Sequence, residues 1–243
     1  MLLTPSHGGS FQLTSDDVHG WCVSLDVSPE AYTRLHATLS CDERSRSARF
    51  RFEGDRQRFV VTHGVMRELL ACYLQIQPGR IRYVYNEFGK PDISPEFGKR
   101  LKFNLSHSGC LALIAIAADS SVGVDLEYVR AQPDYVEIAR RFFSVAEVDH
   151  LMRLPDRLRA QAFFSCWTRT EAYVKACGEG LPNLDRASND ISRTRRWSLY
   201  TLRPAPGYVG ALAIEGGGRR LTQWHWISPA TDFDQDSCTV SPH

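Results

Sequence analysis

Neither sign of charge is in surplus in this chain of 243 residues: 29 lysines and arginines stand against 28 aspartates and glutamates, for a net charge of +1. No global basic field favours nucleic acid, so any anion the chain binds has to be gripped by a local cluster. Cysteine spacing motifs are missing as well. The seven cysteines, Cys22, Cys41, Cys72, Cys110, Cys166, Cys177 and Cys238, are scattered, odd in number and never arranged as C-x-x-C. That pattern argues against a zinc site and against a disulfide framework. Cys110, just before the apolar run from Leu111 to Ile116, reads as a small core residue. No apolar run approaches the length that crosses a bilayer, and the opening M-L-L-T-P-S-H-G-G-S lacks the basic start and apolar stretch of an export signal. The expectation is a cytoplasmic protein with neither a membrane nor a nucleic acid as partner. What the chain does have is 43% hydrophobic and 23% charged residues, enough for a substantial core in one large domain or two small ones.

The periodicities run in the order strand, helices, strands, and they do so twice. Val18 to Val27 reads as a strand and Pro29 to Leu39 as a helix with proline in its first turn. Asp42 to Phe52 is arginine-rich and helical. Asp55 opens a long amphipathic helix with Phe59, Met66, Leu69, Leu70 and Tyr73 on its apolar stripe. Ile81 to Tyr85 alternates as a strand, N86-E-F-G-K-P91 reads as a turn, and Asn104 to His107 as a Ser-His loop leading into an apolar strand from Leu111 to Ala117. After the polar break at Asp119-Ser120-Ser121 come a strand around Asp125, a helix near Tyr135 to Phe142, and a capping box at Ser144-Val-Ala-Glu147. A long helix from about Pro155 to Ala176 stops at Gly178-Glu-Gly180. Strands follow at Arg196 to Leu202, Tyr208 to Ile214 and Leu221 to Ile227. We therefore expect an N-terminal half at 1–118, a C-terminal half at 119–228, and a polar, disordered tail at 229–243.

Two segments carry carboxylates out of apolar surroundings. In V122-G-V-D-L-E-Y128, Asp125 and Glu127 lie two apart, so on a strand they leave one face while Val122, Val124 and Leu126 pack on the other. In W167-T-R-T-E-A-Y-V-K175, Glu171 and Lys175 are one helical turn apart and share a face. Taken singly, either pattern is more often a solvated rim or a surface ion pair. Four anion-gripping features precede them: the run Arg44, Arg46, Arg49; Arg58 early in the long helix; Gly89-Lys90-Pro91 in a turn; and Asn104-Leu-Ser106-His107. Glycine beside lysine permits close backbone approach, and a Ser-His loop offers donors, as a pyrophosphate requires. All-oxygen ligation favours Mg²⁺ or Mn²⁺ over zinc.

Six signposts in order, L39-S-x-x-E-R-x-R46, G89-K-P91, F103-N-L-S-H-S108, V122-G-V-D-L-E127, R141-F-F-S144 and W167-T-x-x-E-A-x-x-K175, make the chain resemble the Sfp-type 4'-phosphopantetheinyl transferases, most of all their HetI-like group. The resemblance spans about Leu25 to Ile227. It implies an α+β fold of two pseudo-symmetric halves, each a small sheet packed on a long helix, with coenzyme A as co-substrate bound between them. The activity implied is that of a holo-[acyl-carrier-protein] synthase type transferase. A serine hydroxyl of an apo acyl or peptidyl carrier protein attacks the β-phosphate of coenzyme A and releases adenosine 3',5'-bisphosphate. By the same resemblance Asp125, Glu127 and Glu171 would hold Mg²⁺. Gly89, Lys90, Pro91, Asn104, Ser106, His107 and Lys175 would line the phosphates, and Arg46 with Arg58 would reach the 3'-phosphate.

Lys175 and His107 would stabilise the leaving group. Glu171 is the preferred general base, with a metal-bound hydroxide as its competitor. The motif's usual lysine before the glutamate is here Thr170, which raises the alternative of an impaired coenzyme A or carrier-protein binding protein. A Mg²⁺-dependent pyrophosphohydrolase would suit the carboxylates but not Arg46 or Ser106-His107. Both halves of the site lie in one chain, so a monomer suffices.

Overall fold

The computed structural model describes residues 11–98, 101–130, 135–178 and 196–228. The expected tail at 229–243 lies outside the described residues. The chain begins with β1 (Asp17–Ser24), followed by α1 (Pro29–Thr38), α2 (Cys41–Ser47) and the long α3 (Glu53–Leu74). The short hairpin β2 (Tyr83–Tyr85) and β3 (Pro91–Ile93) leads to β4 (Leu101–Ser108) and β5 (Leu111–Ala118). The second half runs β6 (Val122–Tyr128), α4 (Tyr135–Phe142), α5 (Val145–Arg153), α6 (Asp156–Cys177), β7 (Trp197–Leu202), β8 (Tyr208–Glu215) and β9 (Arg220–Trp226).

Local signals account for most boundaries. Ser28 caps α1 ahead of its proline, and both Ser40 and Ser144 close full capping boxes with Glu43 and Glu147. Each such cap satisfies backbone donors otherwise left open, at about 1 kcal/mol. Gly178 ends α6 in the left-handed conformation, φ 76°, as a helix stop of this kind requires. Three expectations shift. Helix α2 ends at Ser47, five residues short of Phe52, and β1 ends at Ser24 rather than Val27. The Asn104 to His107 segment is no loop: β4 carries it as extended strand, paired residue for residue with β5.

Strand pairing makes the two halves topological copies. In one sheet β1 pairs antiparallel with β5 and β5 with β4; in the other β6 pairs with β8 and β8 with β7. Strand β9 then returns to the first sheet and pairs parallel with β1, giving the order β4-β5-β1-β9. The layers follow from strand alternation. Ala112, Ile114 and Ile116 of β5 join Val61, Val65, Leu69 and Leu70 of α3 in one core. Their neighbours Leu113, Ala115 and Ala117 pack against Val122, Val124 and Leu126 of β6 in a second. Small residues Ala172 and Ala176 of α6 close on Ala211 and Ala213 of β8. The result is helix, sheet, sheet, helix, with β4 and β6 meeting edge to edge. The cysteine expectation fails at Cys110, which is exposed, whereas Cys22 is buried.

Candidate functional site

At the seam, side chains take the place of a ladder. Asn104 accepts a hydrogen bond from the Val124 amide at 2.9 Å, Ser106 donates to Asp125 Oδ1 at 2.8 Å, and Ser108 donates to Glu127 Oε2 at 3.1 Å while accepting from the Tyr128 amide at 3.0 Å. These are the even positions of β4, which alternation puts on the side facing β6. His107 is an odd position, on the side of Leu101, Phe103 and Leu105, which pack with α3. One motif is thus split between two neighbours.

From the other side, α6 comes down onto β6 at Gly123. A Cβ there would stand 2.0 Å from the Ala172 carbonyl and 2.4 Å from the Ala176 amide, so only glycine admits the helix so close. Gly123, Asp125 and Glu127 share the face this helix covers. Lys175 reaches Asp125 Oδ1 at 2.7 Å and Ser106 Oγ at 3.1 Å. Glu171, one turn earlier, lines with Lys175, Gly89, Lys90, Pro91 and Asn104 a cleft of about 330 Å³ between the β2–β3 turn and α6.

The electrostatics mark the carboxylates as a strained group. Asp125 is only 4% exposed, and its Oδ2 is buried with no hydrogen-bond partner. Burial and the neighbouring Asp125 charge push the Glu127 carboxyl above its ordinary range, against Ser108, Arg130 and Lys175. The same two causes push Glu171 up, with Lys175 opposing. An orphaned carboxylate oxygen beside two carboxyls that resist ionising is what a hard divalent cation would relieve, and the donor set is all oxygen. Among the described residues, however, no three His, Cys, Asp or Glu side chains already stand as a ligating group.

The remaining candidates are placed unequally. Lys90 lines the cleft, yet its ammonium donates to the carbonyls of Val122 at 3.2 Å and Ala176 at 3.0 Å, tying the turn to β6 and the end of α6. Burial lowers its pKa to about 8. Arg58 is shared between Asp55, at 3.4 Å, and the Gly109 carbonyl, at 3.2 Å. Arg46 is exposed and lies over the Phe59 ring, whereas Arg44 lines a separate groove with Tyr32 and His36. His107 reaches solvent, and its charged form is disfavoured by partial desolvation and by the nearby His63, Lys175 and Arg58, against Asp55.

Thr170, which stands where the motif usually has lysine, is buried. It is 6% exposed and its hydroxyl donates to the Cys166 carbonyl at 3.1 Å. Sequence reasoning overlooked Ser108, although it stands inside the quoted motif and binds Glu127.

A family model described as 4'-phosphopantetheinyl transferase superfamily matches residues 121–215, and one described as 4'-phosphopantetheinyl transferase, N-terminal, matches residues 25–120. The 4'-phosphopantetheinyl transferase HetI of Nostoc sp. is 39% identical over 223 residues, covering 88% of this chain and 94% of the relative. The 4'-phosphopantetheinyl transferase Sfp of Bacillus subtilis is 29% identical over 226 residues, 92% of this chain and 97% of the relative.

Proposed function

As the chain belongs to the Sfp-type 4'-phosphopantetheinyl transferases, in their HetI-like group, we propose that the seam between β4, β6 and α6 is where the 4'-phosphopantetheine arm of coenzyme A passes to a serine of an apo acyl or peptidyl carrier protein. The serine oxygen forms a bond to the β-phosphorus, the bridging P–O bond breaks, and adenosine 3',5'-bisphosphate leaves. No finding supports the alternative of an impaired binding protein. The observation that carries the reading is the convergence of Asp125, Glu171, Lys175 and Ser106 beside the cleft, with Asp125 Oδ2 left open.

In this reading Asp125, Glu127 and Glu171 would hold Mg²⁺, or Mn²⁺ in its place. The cation's chemistry is to neutralise the pyrophosphate and polarise its phosphoryl oxygens. Lys175, anchored by Asp125 and Ser106, is held at the leaving-group side and supplies positive charge there as the bisphosphate departs. His107 adds a donor from the α3 side. Glu171, whose carboxyl burial already lifts toward neutrality, accepts the serine proton. Lys90 holds the cleft's wall in place by bridging the turn and α6. The holo-[acyl-carrier-protein] synthase type of activity is one case of this reaction.

Incubation with coenzyme A, Mg²⁺ and a panel of apo carrier proteins tests the reading. A carrier mass gain of about 340 Da, the phosphopantetheine arm, is the expected result. Hydrolysis of coenzyme A without carrier modification would point to a pyrophosphohydrolase instead.

A further inference from the structure

The turn between β2 and β3 forms one wall of the cleft, and apolar packing does little to hold it there. The hairpin is a two-stranded sheet of its own, with Val84, Tyr85 and Phe88 between 44% and 64% exposed. Its base is the anchored end: the Tyr83 ring packs on Phe103 with centroids 5.5 Å apart, and Ile93 belongs to the core shared with α3. A two-stranded hairpin by itself is marginal in water, so the place of its tip is set by contacts of the turn.

Those contacts are polar and centre on Asn86. Its Oδ1 accepts from the Phe88 amide at 3.0 Å and the Lys90 amide at 2.8 Å, while its backbone bonds to the Lys90 carbonyl at 3.1 Å and the Gly89 amide at 3.0 Å. This set shapes the turn. The other end of the side chain, Nδ2, donates to the Gly178 carbonyl at 3.0 Å. Gly178 caps α6 with φ 76°, and a Cβ there would stand 3.1 Å from Asn86 Nδ2 and 3.3 Å from Lys90 Cδ, so turn and helix end fit closely. The Lys90 ammonium reaches the neighbouring Ala176 carbonyl at 3.0 Å. The last carbonyls of a helix lack intrahelical partners and carry the negative end of its dipole, which an amide and an ammonium from a distant turn match.

Resting on the function given above, we propose that Asn86 is a positioning residue, which sets the width of the coenzyme A cleft by tying the β2–β3 turn to the C-terminal end of α6. Of the residues lining the cleft, Gly89, Lys90 and Pro91 stand on the turn and Glu171, Lys175 and Gly178 on the α6 side; Asn86 is not among them and acts through both walls. With the tie in place the two walls are held before the ligand arrives. Without it, binding has to order the turn, which weakens affinity. The chemical step is left as it was, because Lys175 keeps its own anchors at Asp125 and Ser106.

Asn86→Asp separates the two ends of the side chain: it keeps the acceptor that shapes the turn and sets a carboxylate oxygen against the Gly178 carbonyl. The variant should raise KM for coenzyme A about fivefold, leave kcat within about twofold, and leave KM for the apo carrier unchanged. Hydrogen exchange of residues 84–91, followed by mass spectrometry, should quicken. Gly178→Ala presses on the same contact from the helix side, so in the double variant its effect on KM should not multiply that of Asn86→Asp. An unchanged KM for coenzyme A, a fall in kcat as large as the rise in KM, or multiplying effects in the double variant would overturn the proposal and leave Asn86 a turn former only. If the parent modifies no carrier, the functional reading falls; calorimetric binding of coenzyme A, weaker in Asn86→Asp or equal, still decides the role of Asn86. Should either variant not fold, Asn86→Ser, whose hydroxyl can accept within the turn but is too short to reach Gly178, gives the same comparison.

Discussion

Glu171 and Thr170 adjoin on α6 yet face different physics. The Glu171 carboxyl resists ionising because it is buried near Asp125 and Glu127. Replacing it by glutamine removes a repulsive charge and keeps the shape. Glu171→Gln should therefore lower kcat/KM by at least about 10²-fold while Tm of the metal-free protein holds or rises, as parallel kinetics and thermal melts would read. Thr170, by contrast, reads from sequence as a surface position where lysine would add a useful cation. Its burial and its bond to the Cys166 carbonyl reverse that expectation. Thr170→Lys should lower Tm, because an ammonium forced into a buried position costs several kcal/mol or displaces the helix. It should bring no gain in kcat/KM; a lysine variant with parental Tm and higher activity would restore the surface reading.

Among the elements, the clamp between α2 and α3 offers a pH test. Glu43 closes the α2 capping box and binds Arg67 of α3. Burial would raise its pKa, but His63, the Ser40 amide and Arg67 outweigh burial and hold it at about 2. The folded value lies below the unfolded one of 4.5. The clamp's contribution is thus complete above pH 4.5 and is lost as pH falls toward 2. Glu43→Gln should melt well below the parent at pH 6, and the gap should narrow steadily between pH 5 and pH 3. A gap independent of pH would mean that Glu43 acts through its cap alone.

For the whole molecule, the decisive element is β9, which the chain order assigns to the second half and the pairing assigns to the first sheet. It covers the edge of β1 from Asp17 opposite Arg220 to Val23 opposite Trp226. Removing residues 220–243 leaves that edge unpaired and uncovers Trp21, which stacks on Trp224. Such a truncation should make the β1 amides exchange with solvent far faster while β6 to β8 stay protected, in hydrogen exchange followed by mass spectrometry. Uniform protection of both sheets would show β9 to be dispensable.

Helix types, caps and strand alternation were legible in the sequence because they depend on neighbours within a turn or two. The stripe of α3, the capping box of α5 and the glycine stop of α6 all stand where periodicity and cap chemistry place them. The pairing of Glu171 with Lys175 on one helical face, and of Asp125 with Glu127 on one strand face, belongs to the same class. Tertiary structure alone decided what those faces meet. Ser106 and Ser108 bind the carboxylates across a seam because two edge strands are brought side by side. Gly123 lets α6 lower Lys175 onto Asp125. The hydrogen bonds at the seam join residues 19 to 69 positions apart, and local periodicity carries no information about which of two faces a distant element will cover.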